Sequence, residues 1–224
     1  MAFDSGNVGP LVGASTDGAN PLFRQGRQQE LIVSELHGRF YEQVFRGNTY
    51  SIGSSTTALS ANTISLTAST TPIVGVWNPS TSLVNLVILQ AGLQVSVQAA
   101  SSTAQGSFVW ATSTGNTAIS TGSAPFNRKT LVAAGSSAKG FPGGVALTGL
   151  TNNLVVLEGA DLAGGLAITT AAVAATTAVP TYAYVQNFDG SLIVPPGGVL
   201  ALLNTVSTAN LSVASRLMWE EVPV

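Results

Sequence analysis

Beyond about residue 50 the apolar and polar positions of this chain alternate with a period of two. In LQVSVQA, Leu93, Val95, Val97 and Ala99 fall on one side and Gln94, Ser96 and Gln98 on the other, as in a half-buried antiparallel strand. LSVASRLMW repeats the pattern with Leu211, Val213, Ser215, Leu217 and Trp219 on one face. Its other face carries Ala214 and Met218, so this strand is expected to be covered on both sides. Further strands are predicted at NTISLTA, PIVGVW, NLVILQ, SFVWAT, NLVVLEG, TYAYVQNF and GGVLALLNT, spaced by the turn formers NPSTS, FPGG, NFDGS and PPGG. So many strands with no sustained helical period predict an all-β sandwich or barrel and disfavour a parallel α/β fold. No fixed-period repeat signals a solenoid or propeller.

The first 50 residues break this pattern. MAFDSGNVGPLVGASTDGANP is rich in Gly, Pro, Asn and Asp and reads as an extended arm that cannot bury a core of its own. In the stretch that follows, Ile32, Leu36, Phe40 and Val44 recur every four residues, which is a helical stripe. The same residues also read as two strands, ELIVSEL and RFYEQVF, joined at His37-Gly38, where the glycine accepts a positive φ. The β-branched and aromatic content favours the hairpin, with Gly26 and Gly47 bracketing it.

Charge sharpens the contrast between the two parts. Only 8% of the 224 residues are charged, against about 25% in an average soluble protein. Residues 51 to 127 contain no Asp, Glu, Lys, Arg or His. The composition is too apolar for a disordered chain, and the surface of the folded protein must be unusually neutral. Such a surface favours association, and neutral Ser, Thr, Asn and Gln can bond across subunits without the cost of desolvating charge. The net charge of −2 argues against a nucleic-acid partner, which needs a clustered excess of cations. Arg24, Arg27, Arg39 and Arg46 are instead interleaved with Glu30, Glu35 and Glu42, a mixed-sign set suited to another protein.

Candidate chemistry is sparse. There is no cysteine, hence no disulfide framework. His37 is the single histidine, with no nucleophile elbow beside it, and a zinc site lacks ligands. Glu158, Asp161, Asp189, Glu220 and Glu221 are the carboxylates of the β region and read as solvated rim charge rather than a glycosidase pair. GSSAKGFPGG places Lys139 among glycines but fits no phosphate-binding motif and reads as a loop. No apolar run approaches the roughly 18 to 20 residues of a membrane helix; ADLAGGLAITTAAVAATTAVP is broken by Gly164-Gly165 and reads as a loop with a short strand. The start has no basic segment leading into an apolar one, so synthesis in the cytoplasm is expected. No enzyme activity, cofactor, metal, nucleic acid or membrane is expected.

Three stretches taken together, GRQQELIVSELHGRFYEQVFRGNTYS, VWNPSTSLVNLVILQAGL and DGSLIVPPGGVLALLNT with MWEEVPV, resemble small structural proteins of tailed bacteriophages. That resemblance implies an antiparallel jelly-roll β-sandwich over residues 51–224 and an N-terminal arm and charged hairpin over 1–50. It also implies a homotrimer on the virion, most simply a capsid-decorating cement protein bound to the major capsid protein or another virion protein. Arg24, Arg27, Glu30, Glu35, Arg39, Glu42 and Arg46 are the expected capsid contacts. The alternative is a fibre or tail-associated receptor binder, in which Trp77, Trp110, Tyr182 and Tyr184 stack on sugars.

Overall fold

The computed structural model describes residues 39–54, 59–60, 71–97, 107–160, 181–205 and 211–224. They form one short helix, α1 (Tyr41–Arg46), and eleven strands. In chain order the strands are β1 (Thr49–Gly53), β2 (Leu59–Ser60), β3 (Val74–Trp77), β4 (Val84–Val97), β5 (Phe108–Ser113), β6 (Phe126–Asn127), β7 (Lys139–Pro142), β8 (Val155–Gly159), β9 (Thr181–Val194), β10 (Val199–Asn204) and β11 (Leu211–Pro223). The residues from Gln43 to Val224 make one compact unit, so Thr49 and Tyr50, read as part of the arm, lie in its first strand.

The strands build two antiparallel sheets, and the fold is an all-β sandwich. The first runs β6-β1-β11-β4-β9, with β2 also on β11; the second runs β7-β3-β10-β5-β8. Four pairs nest, first with last: β1 with β11, β3 with β10, β4 with β9, and β5 with β8. Further pairing of β11 with β4 and of β10 with β5 completes each sheet.

The alternation in the sequence accounts for the space between the sheets. Ile52, Leu86, Ile88, Leu93, Val213, Leu217 and Trp219 of the first sheet meet Val74, Val76, Phe108, Trp110, Leu200 and Leu202 of the second in one buried cluster. Each such aliphatic side chain stabilises the fold by about 1.5–3 kcal/mol when fully buried. At one lateral edge β7 lies over β1 so closely that a Cβ on Gly140 would stand 2.6 Å from Ile52. At the other, β5 lies over β9: the Trp110 indole donates to Gln186 at 2.8 Å and meets the Phe188 ring edge-on at 5.5 Å.

A second cluster lies on the far face of the second sheet. Trp77, Val109, Ala111, Val199, Ala201 and Leu203 pack there against Ile119, Phe141, Leu147, Leu150 and Leu154. The irregular segments 114–121 and 143–154, which carry Ile119, Leu147, Leu150 and Leu154, thus act as a third layer. All four residues of β3 and all six of β10 are buried. The double covering is complete on these strands and partial on β11, where Met218 is buried and Ala214 half-buried but Arg216 is exposed.

Three other expectations are corrected. RFYEQVF is not a strand: Tyr41–Arg46 is helical, while the first strand of the expected hairpin lies outside the described residues. Gly47 adopts φ +82°, its N–H bonds to the Val44 carbonyl, and the Asn48 N–H bonds to that of Gln43. This pair of bonds is a Schellman stop, which needs a residue such as glycine just past a helix end. Glu42 in the first turn and Arg46 in the last also suit the helix dipole.

NFDGS does not separate strands but bulges within β9. Ile88 pairs with Leu192 and Gln90 with Asn187, so four residues of β9 stand opposite Leu89. Asp189 (φ 54°) and Gly190 (φ 85°) turn the chain and return it to the same ladder. KGFP, read as part of a glycine-rich loop, is strand β7.

The Gly140–Ile52 approach gives a test. Gly140→Ala is expected to destabilise the protein by about 1–3 kcal/mol through overpacking, and Ile52→Ala by about 2–5 kcal/mol through a cavity. Urea denaturation of the double variant should show a loss clearly smaller than the sum. Strict additivity would contradict the close approach of β7 to β1.

Candidate functional site

One end of the sandwich is organised by two buried asparagines. Asn78, at the end of β3, donates from Nδ2 to the Val84 carbonyl at 2.8 Å and the Val194 carbonyl at 3.1 Å. Its backbone exchanges bonds with Gly197 and Gly198. WNPSTS and PPGG, far apart in the sequence, are therefore stitched together. PPGG itself closes with the Gly198 N–H on the Pro195 carbonyl and Gly197 at φ +78°, a turn that pairs proline with a left-handed glycine. Asn116 extends the cluster: its N–H bonds to the Gly197 carbonyl, its Nδ2 to Ser113 Oγ at 2.9 Å, and its Oδ1 accepts from Thr151 N at 2.9 Å. These contacts anchor the irregular layer to the strands.

A second feature is the corner where α1 ends. Asn127 Nδ2 donates to the Gly47 carbonyl at 2.6 Å, and the Lys129 ammonium stands 4.9 Å from the centre of the Phe45 ring. Arg46 is exposed and close enough to Glu220 to draw its pKa down, although burial has the larger effect and raises it. Glu221, on the opposite face of β11, accepts a hydrogen bond from Ser136 Oγ. Burial raises its pKa above the ordinary 4.5, with the Ser136 bond opposing. It is therefore not the solvated rim charge expected of it.

The outer face of the first sheet is a third feature, and it is nearly neutral. Arg216 lies flat across Gly92, where a Cβ would come within 2.8 Å of its Nε. Its Nη2 donates to Gln90 Oε1 at 2.5 Å, and Gln90 Nε2 donates to Asn187 Oδ1 at 2.8 Å. A relay thus crosses β11, β4 and β9, carrying one cation on a row of amides. Such a row can bond to a polar protein surface without stripping water from several charges.

Of the expected contact residues, Arg39, Glu42 and Arg46 lie among the described residues and all three are exposed. Arg39 stands 5.4 Å from the centre of the Phe40 ring. Arg24, Arg27, Glu30 and Glu35 lie outside the described residues, as does His37. Among the aromatic candidates for sugar stacking, Trp77 and Trp110 belong to the core, Tyr184 is half-buried, and the Tyr182 side chain lies outside the described set. Lys139 is held structurally, donating to the Ile119 carbonyl at 3.2 Å and lying 5.5 Å from the Trp77 ring centre. Among the described residues no group of three His, Cys, Asp or Glu is placed to hold a metal ion, and no helix is long and apolar enough to cross a membrane. No family model, curated protein or solved structure matches the chain.

Two outcomes check this geometry. Asn78→Ala leaves two carbonyls without their donor, and chemical denaturation should show a loss of about 2–4 kcal/mol; a loss below about 0.5 kcal/mol would contradict the stitch. For Glu221, the folded carboxyl holds its proton more tightly than the unfolded one. Stability is therefore greatest with the proton on, below the ordinary pKa, and declines as pH rises from there through the raised folded value. Glu221→Gln keeps an oxygen for Ser136 and removes this titration. Its melting temperature at pH 7 should equal or exceed that of the parent, with a shallower decline above pH 4.5. A lower melting temperature with an unchanged pH profile would count against the assignment.

Proposed function

We propose that this chain is a non-enzymatic structural protein of a tailed-bacteriophage virion, a jelly-roll decoration (cement) protein that binds the head shell as an oligomer, with a homotrimer as the expected form. The observation that carries the reading is the strand order. Numbering β1, β3, β4, β5, β8, β9, β10 and β11 from one to eight, the sheets read 1-8-3-6 and 2-7-4-5. This order supports a jelly roll, because a long antiparallel hairpin rolled once would give it, and viral capsid proteins are among those with such an eight-stranded fold. β6 and β7 extend it on one side.

Two further observations support the proposal. The stretches that resemble phage structural proteins, VWNPSTSLVNLVILQAGL and DGSLIVPPGGVLALLNT, meet at Asn78, so they belong to one structural unit. The outer sheet face with its amide relay is suited to a permanent protein contact rather than to chemistry on a small molecule. The receptor-binding alternative loses Trp77 and Trp110 to the core.

In this reading the exposed Arg39, Glu42 and Arg46, with Arg24, Arg27, Glu30 and Glu35, give the attachment its orientation and partner choice, the usual contribution of mixed charge at an interface. Removing residues 1–42 keeps the unit from Gln43 onward. The truncated protein is expected to keep its β-rich circular dichroism and fail to bind undecorated head shells, which the full chain binds. Equal binding by both would move the attachment surface to the sandwich. Failure of the full chain to bind shells, with electron cryomicroscopy of the particle placing it on the tail, would overturn the cement assignment.

A further inference from the structure

Two exposed apolar surfaces lie on opposite lateral edges of the sandwich. The first is the loop that leaves β6 and runs to β7. Leu131 sits there at φ 60°, a left-handed conformation that costs a non-glycine residue roughly 1–2 kcal/mol, yet its side chain is 75% exposed, beside Val132 at 56%. The conformation is imposed by Asn127, whose Oδ1 accepts from Lys129 N at 2.9 Å and Thr130 N at 3.2 Å. The Asn127 backbone closes on Val132 and Leu131 as well. The result is a fixed knuckle with an apolar tip preceded by two exposed cations, Arg128 and Lys129. Strain that raises an apolar side chain into solvent, with no packing to offset it, points to a contact made elsewhere.

The second surface is β8, the outermost strand of the second sheet. All five of its residues are exposed, Val155 by 66%, and its charge is the single carboxylate of Glu158. Proteins usually guard such an edge with lysine, proline or a cover. Here the guard is a bulge: Trp110 pairs with Glu158 and Ala111 with Val156, leaving Leu157 over. A broken ladder resists strand addition but leaves a strip of apolar side chains available for docking.

Resting on the oligomeric part of the proposal above, we infer that the knuckle of one copy seats on the β8 strip of the next, head to tail. The occupant is a second copy because one chain carries both halves of the match: apolar tip to apolar strip, and Arg128 and Lys129 to Glu158. The two patches differ and lie on opposite edges, so the contact is heterologous, and copies joined this way close into a ring when the rotation allows. The scarcity of charge elsewhere leaves little else to set the polarity of the ring.

A heterologous contact has a distinctive test, in which the full-length chain and its variants are followed by size-exclusion chromatography with light scattering. Leu131→Asp spoils the knuckle and keeps the strip; Val155→Asp does the reverse. Each alone should fall to a monomer, and an equimolar mixture should form a one-to-one heterodimer and nothing larger, because one intact knuckle still meets one intact strip. Separately, Glu158→Arg should weaken self-association about tenfold at low salt, and adding Arg128→Glu in the same chain should restore part of the loss, a result that misfolding would not give. If either aspartate variant keeps the parent mass, or the mixture gives no heterodimer, this interface is wrong while the oligomeric reading stands. If the parent itself is a monomer at micromolar concentration, both fall.

Discussion

The central strands of the second sheet, β3, β10 and β5, are buried on both faces, and the layers on either side are built around them. They lie between the inter-sheet core and the irregular layer of residues 114–121 and 143–154. A charge placed on either face of these strands would have to be desolvated without a partner, at a cost of several kcal/mol. This accounts for part of the charge-free stretch from 51 to 127, which supplies β3, β5 and the inner face of β4.

A coil layer over a sheet creates its own demand, since irregular backbone laid on an apolar surface must still pair its N–H and C=O groups. The polar side chains of the layer meet that demand. Asn116 serves the backbone of Thr151, Thr121 Oγ1 donates to the Ala146 carbonyl at 2.6 Å, and Lys139 caps the Ile119 carbonyl. Ser, Thr and Asn are abundant in this chain partly because they do this work inside the fold, which leaves few charges to define its surface. Those that remain stand out for that reason: Arg216 on the amide relay, Arg46 near Glu220, and Arg128 and Lys129 on the knuckle.

Much of the fold was legible because strands with one solvent face advertise themselves. Most of the strands predicted by alternation and turn residues appear, and PPGG and NPSTS turn the chain where expected; NTISLTA lies outside the described residues. The failures have physical causes. RFYEQVF carried signals for both states, and the outcome was set by Gly47 as a helix stop and by tertiary contacts from Asn127 and Lys129 that no local pattern announces. NFDGS has sound turn chemistry, but whether such a turn ends a strand or bulges it depends on the partner strand continuing. Residues 114–121 and 143–154 gave no period because Ile119, Leu147, Leu150 and Leu154 reach the core from coil. The contact residues read from the charged N-terminal stretch were legible as a mixed-sign set, and Arg39, Glu42 and Arg46 are exposed. The knuckle was harder to see: its signal in the sequence is only that Arg128-Lys129 ends the charge-free stretch beside Leu131 and Val132.

The doubly covered strands at the centre of the second sheet should be the most protected part of the protein, which native-state amide hydrogen exchange followed by mass spectrometry measures. The amides of β3 and β10 should exchange slowest, more slowly than those of β4 and β11 in the sheet with an open outer face, and bonded amides of the coil layer such as Asn116 and Thr151 should be protected as well. Faster exchange in β3 and β10 than in β4 and β11, with an unprotected layer at 114–121 and 143–154, would contradict this order of protection.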